Sequence, residues 1–370
     1  MAKKKGGDAQ DGAHPRAKLG EEAHDAPGGV AVAEAPEGAE AAGADEAGDA
    51  ELNHAMLRSM LLQRRFEERC AEAYAIGKIG GFCHLYIGQE AVSTGSMSVL
   101  RPDDYVITTY RDHGQALARG IPARGVMAEL FGREGGVSGG KGGSMHIFDA
   151  ETNFLGGHGI VGGHVPIGTG VAFAIKYRGG DQVCVCFMGE SVVNTGAFHE
   201  ALNMAGLWKL PCVYVIENNR YGMGTALERA SAIHDIFERG AAYNMPRGQC
   251  DGQDVFAVRR AMGEAVERAR REQCPTLLEI RTYRFMGHSM SDAVSGTYRT
   301  KAELDEYLKR DPITLLRTRM QELGQIDDAA VQALDDAVKA EVQDAWDWAD
   351  ASPEPGPDAL YRDVLADTTS

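Results

Sequence analysis

The sequence lacks both a long apolar run and a closely spaced cysteine pair. No uninterrupted stretch of eighteen apolar residues is present, whereas a membrane-spanning helix needs about 20. The seven cysteines include no CxxC pair and are odd in number, which is typical of reduced thiols rather than of a disulfide framework. Cys184 and Cys186 alternate along an apolar run, so we expect them in a core, where free cysteine packs as a small hydrophobe.

Basic charge is scarce as well. Lys and Arg total 38 against 54 Asp and Glu, which gives a net charge of −16 and argues against general binding to nucleic acid or to anionic membranes. The basic start MAKKKGGDAQ has no apolar stretch behind it, and acidic residues follow it. It therefore fits neither a secretory signal nor a mitochondrial presequence, and we expect a cytoplasmic protein.

Aromatic residues are absent from residues 1–50, where Ala and Gly fill 24 of the 50 positions. Such a segment buries too little apolar surface to offset its ordering entropy. The sequence thus predicts a disordered, acidic tail over 1–50 and one domain over 51–370 that ends in charged helices. Asn53 is expected to cap the first helix, which continues to about Tyr74.

Helices and strands alternate in the body of the chain. The runs VCVCFM (183–188), CVYVIE (212–217) and TLLEIRTY (276–283) are short and apolar and are bounded by Gly, Pro or Asn, as buried strands usually are. Helical patterns over about 194–207 and 254–273 separate them. This rhythm predicts an α/β fold, a parallel sheet with helices on both faces.

Glycines crowd between residues 132 and 170. Within GREGGVSGGKGGS (132–144), Gly135, Gly140 and Lys141 match the spacing of a phosphate loop, but Gly142 stands where Ser or Thr would bind magnesium. The dinucleotide fingerprint is also missing, because Phe173 occupies the place of its third glycine. We expect flexible loops with close backbone approaches here rather than a nucleotide site.

Polar residues follow two successive predicted strands. Gly189, Glu190 and Ser191 come after the first, and Asn219 follows the second. Neighbouring parallel strands end at the same edge, where open α/β sheets bind ligands. Carboxylate and amide oxygens suit Mg²⁺, and a helix beginning near Asn194 would offer free N–H groups to a phosphate. The pattern fits a magnesium–diphosphate site, although an ordinary strand–turn–helix with incidental polar residues would look the same.

Six ordered motifs carry a resemblance to a known family. The stretch from Gly189 to Asn219 has the length of the thiamine-diphosphate motif, which opens with Gly-Asp-Gly and closes with Asn-Asn. Across residues 52–355 the chain resembles the alpha subunits of the decarboxylating component of 2-oxo acid dehydrogenases, the pyruvate type in particular. The motifs are GFCHLYIGQEAV (81–92), ITTYRDHG (107–114), GGKGGSMH (139–146), GGHGIVGGHVPIG (156–168), ENNRYGMGT (217–225) and YRFMGHSMSD (283–292).

The resemblance implies the thiamine-diphosphate-binding fold and a role for each matching residue. Glu190, the Asn219 side chain and the Tyr221 carbonyl would bind Mg²⁺. His84 and His288 would be catalytic, next to the reacting centre. The residues that would contact thiamine diphosphate are Tyr110, Arg111, Gly159, Val161, Gly189, Glu190, Ser191, Val192, Asn219, Arg284 and His288.

The chain departs from the family pattern at three positions. Glu190 stands in place of Asp, which adds a methylene to a ligand of a metal that demands near-ideal geometry. Ser191 stands in place of Gly and adds a side chain near the diphosphate. Met286 stands where some members carry another histidine. The first two changes put cofactor affinity and full activity in question, and Met286 argues against a paired-histidine site in its loop.

The resemblance further implies decarboxylation of pyruvate and transfer of the acetyl unit to a lipoyl group of a partner acyltransferase. The carboxylate that engages the cofactor's pyrimidine comes from a separate beta subunit in this family, so we expect a heterotetramer of two alpha and two beta chains. Two alternatives stay open. One is an acetoin or branched-chain 2-oxo acid dehydrogenase subunit, and the other is a non-catalytic, alpha-like regulatory subunit, which Glu190 and Ser191 alone favour.

Overall fold

A computed structural model describes residues 49–364 of the chain. The predicted tail over 1–50 lies outside the described residues except for its last two positions. The strands are β1 (Tyr105–Thr109), β2 (Phe154–His158), β3 (Cys184–Gly189), β4 (Cys212–Asn218), β5 (Tyr221–Gly222), β6 (Thr225–Ala226), β7 (Arg247–Asp251) and β8 (Thr276–Arg281). The α-helices are α1 (Ala50–Ala75), α2 (Glu90–Met97), α3 (His113–Arg119), α4 (Ala123–Leu130), α5 (His164–Tyr177), α6 (Gly196–Trp208), α7 (Leu227–Ala230), α8 (Val255–Glu272), α9 (Lys301–Leu308), α10 (Pro312–Glu322) and α11 (Asp328–Ala351).

Six strands form one parallel sheet in the order β2-β1-β3-β4-β8-β7. The two strands predicted to be neighbours do pair, with Gly189 of β3 opposite Glu217 of β4. The three apolar runs identified in the sequence became β3, β4 and β8. The prediction of an α/β fold with a parallel sheet is therefore confirmed, and the carboxyl ends of β3 and β4 lie side by side.

The sheet separates two apolar cores. Val185, Phe187 and Val213 point into the larger core with helices α1 to α4, α8, α10 and α11. Cys184 and Cys186 alternate with them and are fully buried in the smaller core, which α5 and α6 cover. This period-2 alternation between two covered faces explains why the strands read as continuous apolar runs. Helices thus cover both faces, and the core role expected for these two cysteines is confirmed.

The first helix starts earlier than the sequence indicated. Asp49 caps α1, because its carboxylate accepts from the backbone N–H of Leu52 at 3.1 Å. Asn53 is not the cap: it lies one turn inside the helix, is buried, and donates to Gln325 at 2.8 Å. An asparagine before an apolar stripe matches the capping pattern, but here it joins α1 to a distant loop.

The turn after β3 also differs from the expectation. Residues Glu190–Asn194 form a 3₁₀ turn, and the α-helix begins only at Gly196, capped by Thr195. The free N–H groups of an α-helix N-terminus therefore lie beyond Asn194. A phosphate group near Glu190 would meet the backbone of a 3₁₀ turn and of Gly189 instead.

The glycine-rich segment 132–144 wraps around a carboxylate of the protein itself. Glu129, fully buried at the end of α4, accepts hydrogen bonds from the backbone N–H groups of Ser138 (2.8 Å), Gly140 (2.9 Å), Gly142 (2.6 Å) and Gly143 (3.2 Å). A loop of free N–H groups is an anion cradle, and this one is filled by Glu129. The expectation that it is not a nucleotide site fits this arrangement.

No helix within residues 49–364 combines the length and the apolar character needed to span a bilayer.

Replacing Glu129 by Ala should destabilise the glycine-rich loop specifically. Four partly buried N–H groups would lose a charged acceptor, and we expect the free energy of unfolding to fall by about 2–4 kcal/mol. Trypsin should then cut faster at Lys141, which lies inside the loop. Limited proteolysis and urea unfolding measure both effects. Glu134→Ala, at a half-exposed carboxylate of the same loop, is the control. Equal cleavage rates in the two variants would contradict the prediction.

Candidate cofactor and active site

The carboxyl ends of β3 and β4 carry three oxygen groups that lie together. Glu190 follows β3 and is 3% exposed, and Asn219 and Tyr221 follow β4 at 8% and 9%. The Asn219 Oδ1 and the Tyr221 carbonyl oxygen contact the same nitrogen of Arg284, at 3.2 and 3.3 Å. The Glu190 carboxylate packs against Gly222, where an added Cβ would lie 3.4 Å from its Oε1. The three residues predicted as metal ligands therefore surround one small region.

A guanidinium occupies part of that region. Arg284 is 1% exposed and donates to Asn219, to the Tyr221 and Met223 carbonyls, and to the Tyr298 hydroxyl at 3.0 Å. These are neutral oxygens, and the Nε of Arg284 has no partner among the described residues. The Asn219 and Tyr221 oxygens therefore already bind a cation that belongs to the protein itself. These oxygens face a position suited to positive charge.

A second buried guanidinium belongs to Arg111, which follows β1. It donates to the carbonyls of Leu85 and of His288, the latter at 2.7 Å. Burial and the charge of Arg284 lower the pKa of Arg111 to about 10. Within residues 49–364, neither Arg111 nor Arg284 has a carboxylate at ion-pair distance. Two buried cations without a counter-ion are costly, and an anion with several oxygens would relieve that cost.

Glu190 sits in this positive field without forming an ion pair. Its nearest recorded partner is the Ser191 hydroxyl, which donates to Oε1 at 3.0 Å. Burial raises the pKa of Glu190, while Ser191, Arg284 and Arg111 oppose the shift. Ser191 is also close to Gly222: a Cβ there would lie 2.0 Å from the serine hydroxyl. The two departures from the family motif thus contact each other, and the serine hydroxyl stabilises the longer carboxylate.

Three rings predicted to serve the site form one cluster. The His84 ring lies 4.6 Å from the Tyr110 ring and 5.1 Å from the His288 ring, centre to centre. Burial, then the charge of Arg111, lowers the pKa of His84 to about 2 and that of His288 to about 4. Both imidazoles are therefore neutral near pH 7. The Nδ1 atoms of both are buried and have no partner among the described residues.

The remaining predicted residues lie along the same edge of the sheet. Gly159 and Val161 follow β2, which pairs with β1, and Val161 is 48% exposed. An added Cβ on Gly189 would meet open space. The Val192 side chain is buried in the smaller core, so that only its backbone is left for a ligand. No recorded contact joins Gly159 or Val161 to the histidine cluster, and their roles stay predictions.

Sequence reasoning missed several buried polar residues that support this edge. Gln89 lies in the motif GFCHLYIGQEAV (81–92), but no role was predicted for it. In the structure it contacts Asn219. Glu217 accepts from Gln115 at 3.0 Å and from the Tyr86 hydroxyl, and burial raises its pKa to about 7. His113 bridges Glu67 (2.9 Å) and Ser144 (3.0 Å). Each partner is distant in sequence, so only the positions of Gln89, Glu217 and His113 inside the six motifs could have singled these three residues out.

The neutral histidines predict how stability depends on pH. Because the folded pKa values of His84 and His288 lie below the ordinary 6.5, the unfolded chain binds more protons below that pH. Their contribution is complete above pH 6.5 and is lost as the pH falls, down to about 4 for His288 and about 2 for His84. For buried His84 alone, the loss at pH 5 is about 2 kcal/mol.

We expect the His84→Asn/His288→Asn double variant to lose less thermal stability between pH 7 and pH 5 than the unsubstituted protein. Melting curves of the purified protein at pH 5, 6 and 7 measure this difference. His234→Asn, at an exposed position, is the control. Parallel pH profiles for the double variant and the unsubstituted protein would refute the prediction.

Comparison with known proteins places this edge of the sheet in context. The family model described as "Dehydrogenase E1 component" matches residues 58–358. A protein of Rhizobium meliloti (strain 1021), named "Pyruvate dehydrogenase E1 component subunit alpha", is 51% identical over 309 residues, which cover 83% of this chain and 88% of the relative.

Two further relatives bear the same name. The protein from Zymomonas mobilis subsp. mobilis (strain ATCC 31821 / ZM4 / CP4) is 47% identical over 310 residues, 83% of this chain and 87% of its own length. The protein from Porphyra purpurea is 44% identical over 319 residues, 84% of this chain and 92% of its own. The residues that the family model matches include all six motifs and every predicted site residue. The chain therefore belongs to the dehydrogenase E1 component family.

Proposed function

We propose that the chain is the alpha subunit of a pyruvate dehydrogenase component, which decarboxylates pyruvate and passes the acetyl unit to a lipoyl group of a partner acyltransferase. Family membership and the names of the three relatives support this reaction. The observation that carries it is the pair of buried guanidiniums, Arg111 and Arg284, which have no carboxylate partner within residues 49–364 and lie next to two neutral histidines.

The residues present fit thiamine diphosphate, the cofactor that the family implies. This cofactor supplies an electron sink for cleavage of the bond to the carboxylate. Arg111 and Arg284 would hold its diphosphate, since guanidinium matches phosphate oxygens bidentately. A phosphate oxygen could accept from the unpartnered Nε of Arg284. Tyr110, whose ring lies 4.6 Å from that of His84 and tilted against it, borders the same space from the end of β1.

The proposal also includes a Mg²⁺ ion bound next to the cofactor. Glu190, Asn219 and the Tyr221 carbonyl are hard oxygen ligands with one formal charge, a set that suits Mg²⁺ together with diphosphate oxygens and water. A divalent cation would also lower the pKa of buried Glu190 and keep it ionised. Arg284 now holds two of these oxygens, so it would exchange them for phosphate oxygens when the metal binds.

His84 and His288 would serve the substrate. Both are neutral in the cofactor-free protein and keep an unpartnered Nδ1. A neutral imidazole can donate a hydrogen bond to a substrate oxygen through one nitrogen and accept a proton through the other. The hydrogen bond from Arg111 to the His288 carbonyl fixes the loop that carries this histidine.

The proposal includes a beta subunit in a heterotetramer of two alpha and two beta chains located in the cytoplasm. Apolar side chains are exposed beside the site and on α5 and α6, which is typical of surfaces that another chain covers. The exposed fractions are 78% for Ile160, 48% for Val161, 45% for Phe173, 83% for Tyr177 and 72% for Leu207. The carboxylate that engages the pyrimidine would come from that partner.

A dye-reduction assay tests the reaction, since it responds to oxidative cleavage of a 2-oxo acid and equally of acetoin, which has no carboxylate to lose. The chain is co-expressed with a beta subunit and assayed with Mg²⁺ and thiamine diphosphate. We expect turnover with pyruvate to exceed turnover with acetoin and with 3-methyl-2-oxobutanoate, and the chain alone to be inactive.

Preference for another of these substrates would change the assignment while keeping the chemistry. No turnover with any of the three, by an assembled and folded protein, would favour a non-catalytic subunit. Ordinary turnover by the chain alone would contradict the need for a beta subunit.

Replacing Glu190 by Gln tests the metal site. The variant keeps the size of the side chain but removes its charge, so we expect the Mg²⁺ concentration needed for cofactor binding to rise at least about 100-fold, more than outer-shell changes usually cause. Quenching of tryptophan fluorescence by thiamine diphosphate measures cofactor binding across a magnesium titration. Glu228→Gln, at a half-exposed carboxylate of α7, is the control. An unchanged magnesium requirement in Glu190→Gln would remove Glu190 from the metal site.

A further inference from the structure

Gln89 lies directly behind the candidate metal ligand Asn219. It precedes α2, is 1% exposed, and its Oε1 accepts a hydrogen bond from the Asn219 Nδ2 at 3.1 Å. Within residues 49–364, its side chain forms no hydrogen bond to the histidine cluster or to Arg284. Among the residues that the structure describes, the one hydrogen-bond partner of this buried side chain belongs to the site.

The contact decides which end of the Asn219 amide faces the cation. An amide has an acceptor oxygen and a donor nitrogen, and exchanging them would place N–H groups against the metal. Gln89 accepts from the nitrogen, which leaves Oδ1 facing the position now held by Arg284 at 3.2 Å. If Gln89 lost its acceptor, only the group facing Oδ1, Arg284 or the cation that takes its place, would orient the amide.

The backbone around Gln89 is fixed closely enough for this role. Its N–H donates to the Tyr86 carbonyl at 3.1 Å. Gly88 has a φ of +100°, and a Cβ there would lie 2.4 Å from the Tyr283 carbonyl oxygen. On the other side, Glu90 accepts from the Gly88 N–H at 3.0 Å and pairs with Arg64. The turn therefore holds Gln89 between α1 and the strand that leads to Arg284.

We propose that Gln89 is a positioning residue that fixes the Asn219 amide with its oxygen towards a divalent cation. This inference rests on the proposed metal site and names a residue that controls its affinity. Partners that orient metal ligands typically contribute 10–100-fold to metal affinity. Gln89 acts through Asn219 and touches neither the metal nor the substrate.

The test is a Mn²⁺ titration of the alpha–beta assembly with saturating thiamine diphosphate, with free Mn²⁺ measured by electron paramagnetic resonance. We expect Gln89→Met, which keeps the side-chain length without an amide acceptor, to weaken Mn²⁺ binding about 10–100-fold. Gln89→Glu, which keeps an oxygen acceptor for the Asn219 Nδ2, should restore binding close to that of the unsubstituted assembly. If Gln89→Met fails to assemble, the shorter Gln89→Asn replaces it.

Gln63→Met is the matched control. Gln63 is also fully buried and hydrogen-bonded to α2, through Ser93 at 2.7 Å and Thr94 at 2.9 Å, but it does not contact Asn219. It should lower the melting temperature and leave Mn²⁺ affinity unchanged. In activity assays, Gln89→Met should raise the Mg²⁺ concentration for half-maximal rate and regain its kcat at saturating Mg²⁺.

A double-variant cycle isolates the orientation effect. Asn219→Asp has oxygen at both ends, so it needs no orientation, and Gln89→Met should have little further effect on Mn²⁺ binding in that background. Unchanged Mn²⁺ affinity in Gln89→Met, or equal weakening in Gln63→Met, would overturn the role of Gln89 while the metal site stands. If the unsubstituted assembly with cofactor bound no Mn²⁺, the metal site and this inference would both fall.

Discussion

The mutual repulsion of two buried guanidiniums is the constraint on which the candidate site depends. Arg111 and Arg284 are 6% and 1% exposed, and the charge of one lowers the pKa of the other. Both are held by carbonyl, amide and hydroxyl oxygens instead of carboxylates. Neutral oxygens satisfy the N–H groups but do not cancel the charge. The fold thus keeps two guanidiniums buried without an ion-pair partner among the described residues, and a bound anion would stabilise both.

The parallel sheet makes this arrangement possible. Arg111 follows β1, Glu190 follows β3 and Asn219 follows β4, and these three strands are neighbours in the sheet. Their carboxyl ends meet at one edge, while the opposite faces bury apolar side chains in two cores. Arg284 comes from the segment after β8, which pairs with β4. Four chain segments therefore reach the same place along strands whose β1–β3, β3–β4 and β4–β8 pairings are regular.

The sequence was sufficient for the strands and for the positions of the polar residues that follow them. Short apolar runs bounded by Gly, Pro or Asn have few other interpretations, and β3, β4 and β8 appeared where they were expected. It was insufficient where a side chain had two possible partners. Asn53 has the pattern of a cap but contacts Gln325, and the turn at Glu190–Asn194 is 3₁₀ rather than α-helical. Gln89 has no chemical signature of its own, since its role arises from a partner 130 positions away in the chain.

Two anion-binding arrangements in this chain show that the contacts of a group in the fold decide its role more than its sequence motif does. The glycine-rich loop presents N–H groups in a spacing that resembles a phosphate loop, yet the Glu129 carboxylate accepts from four of them. The Glu129 carboxylate already provides these N–H groups with a negatively charged acceptor, so the loop does not require a phosphate. Arg111 and Arg284 form no recognisable loop motif together, yet neither has an ion-pair partner within the described residues. The site is therefore identified by two buried guanidiniums without a paired carboxylate, an arrangement that exists only once distant segments have been brought together.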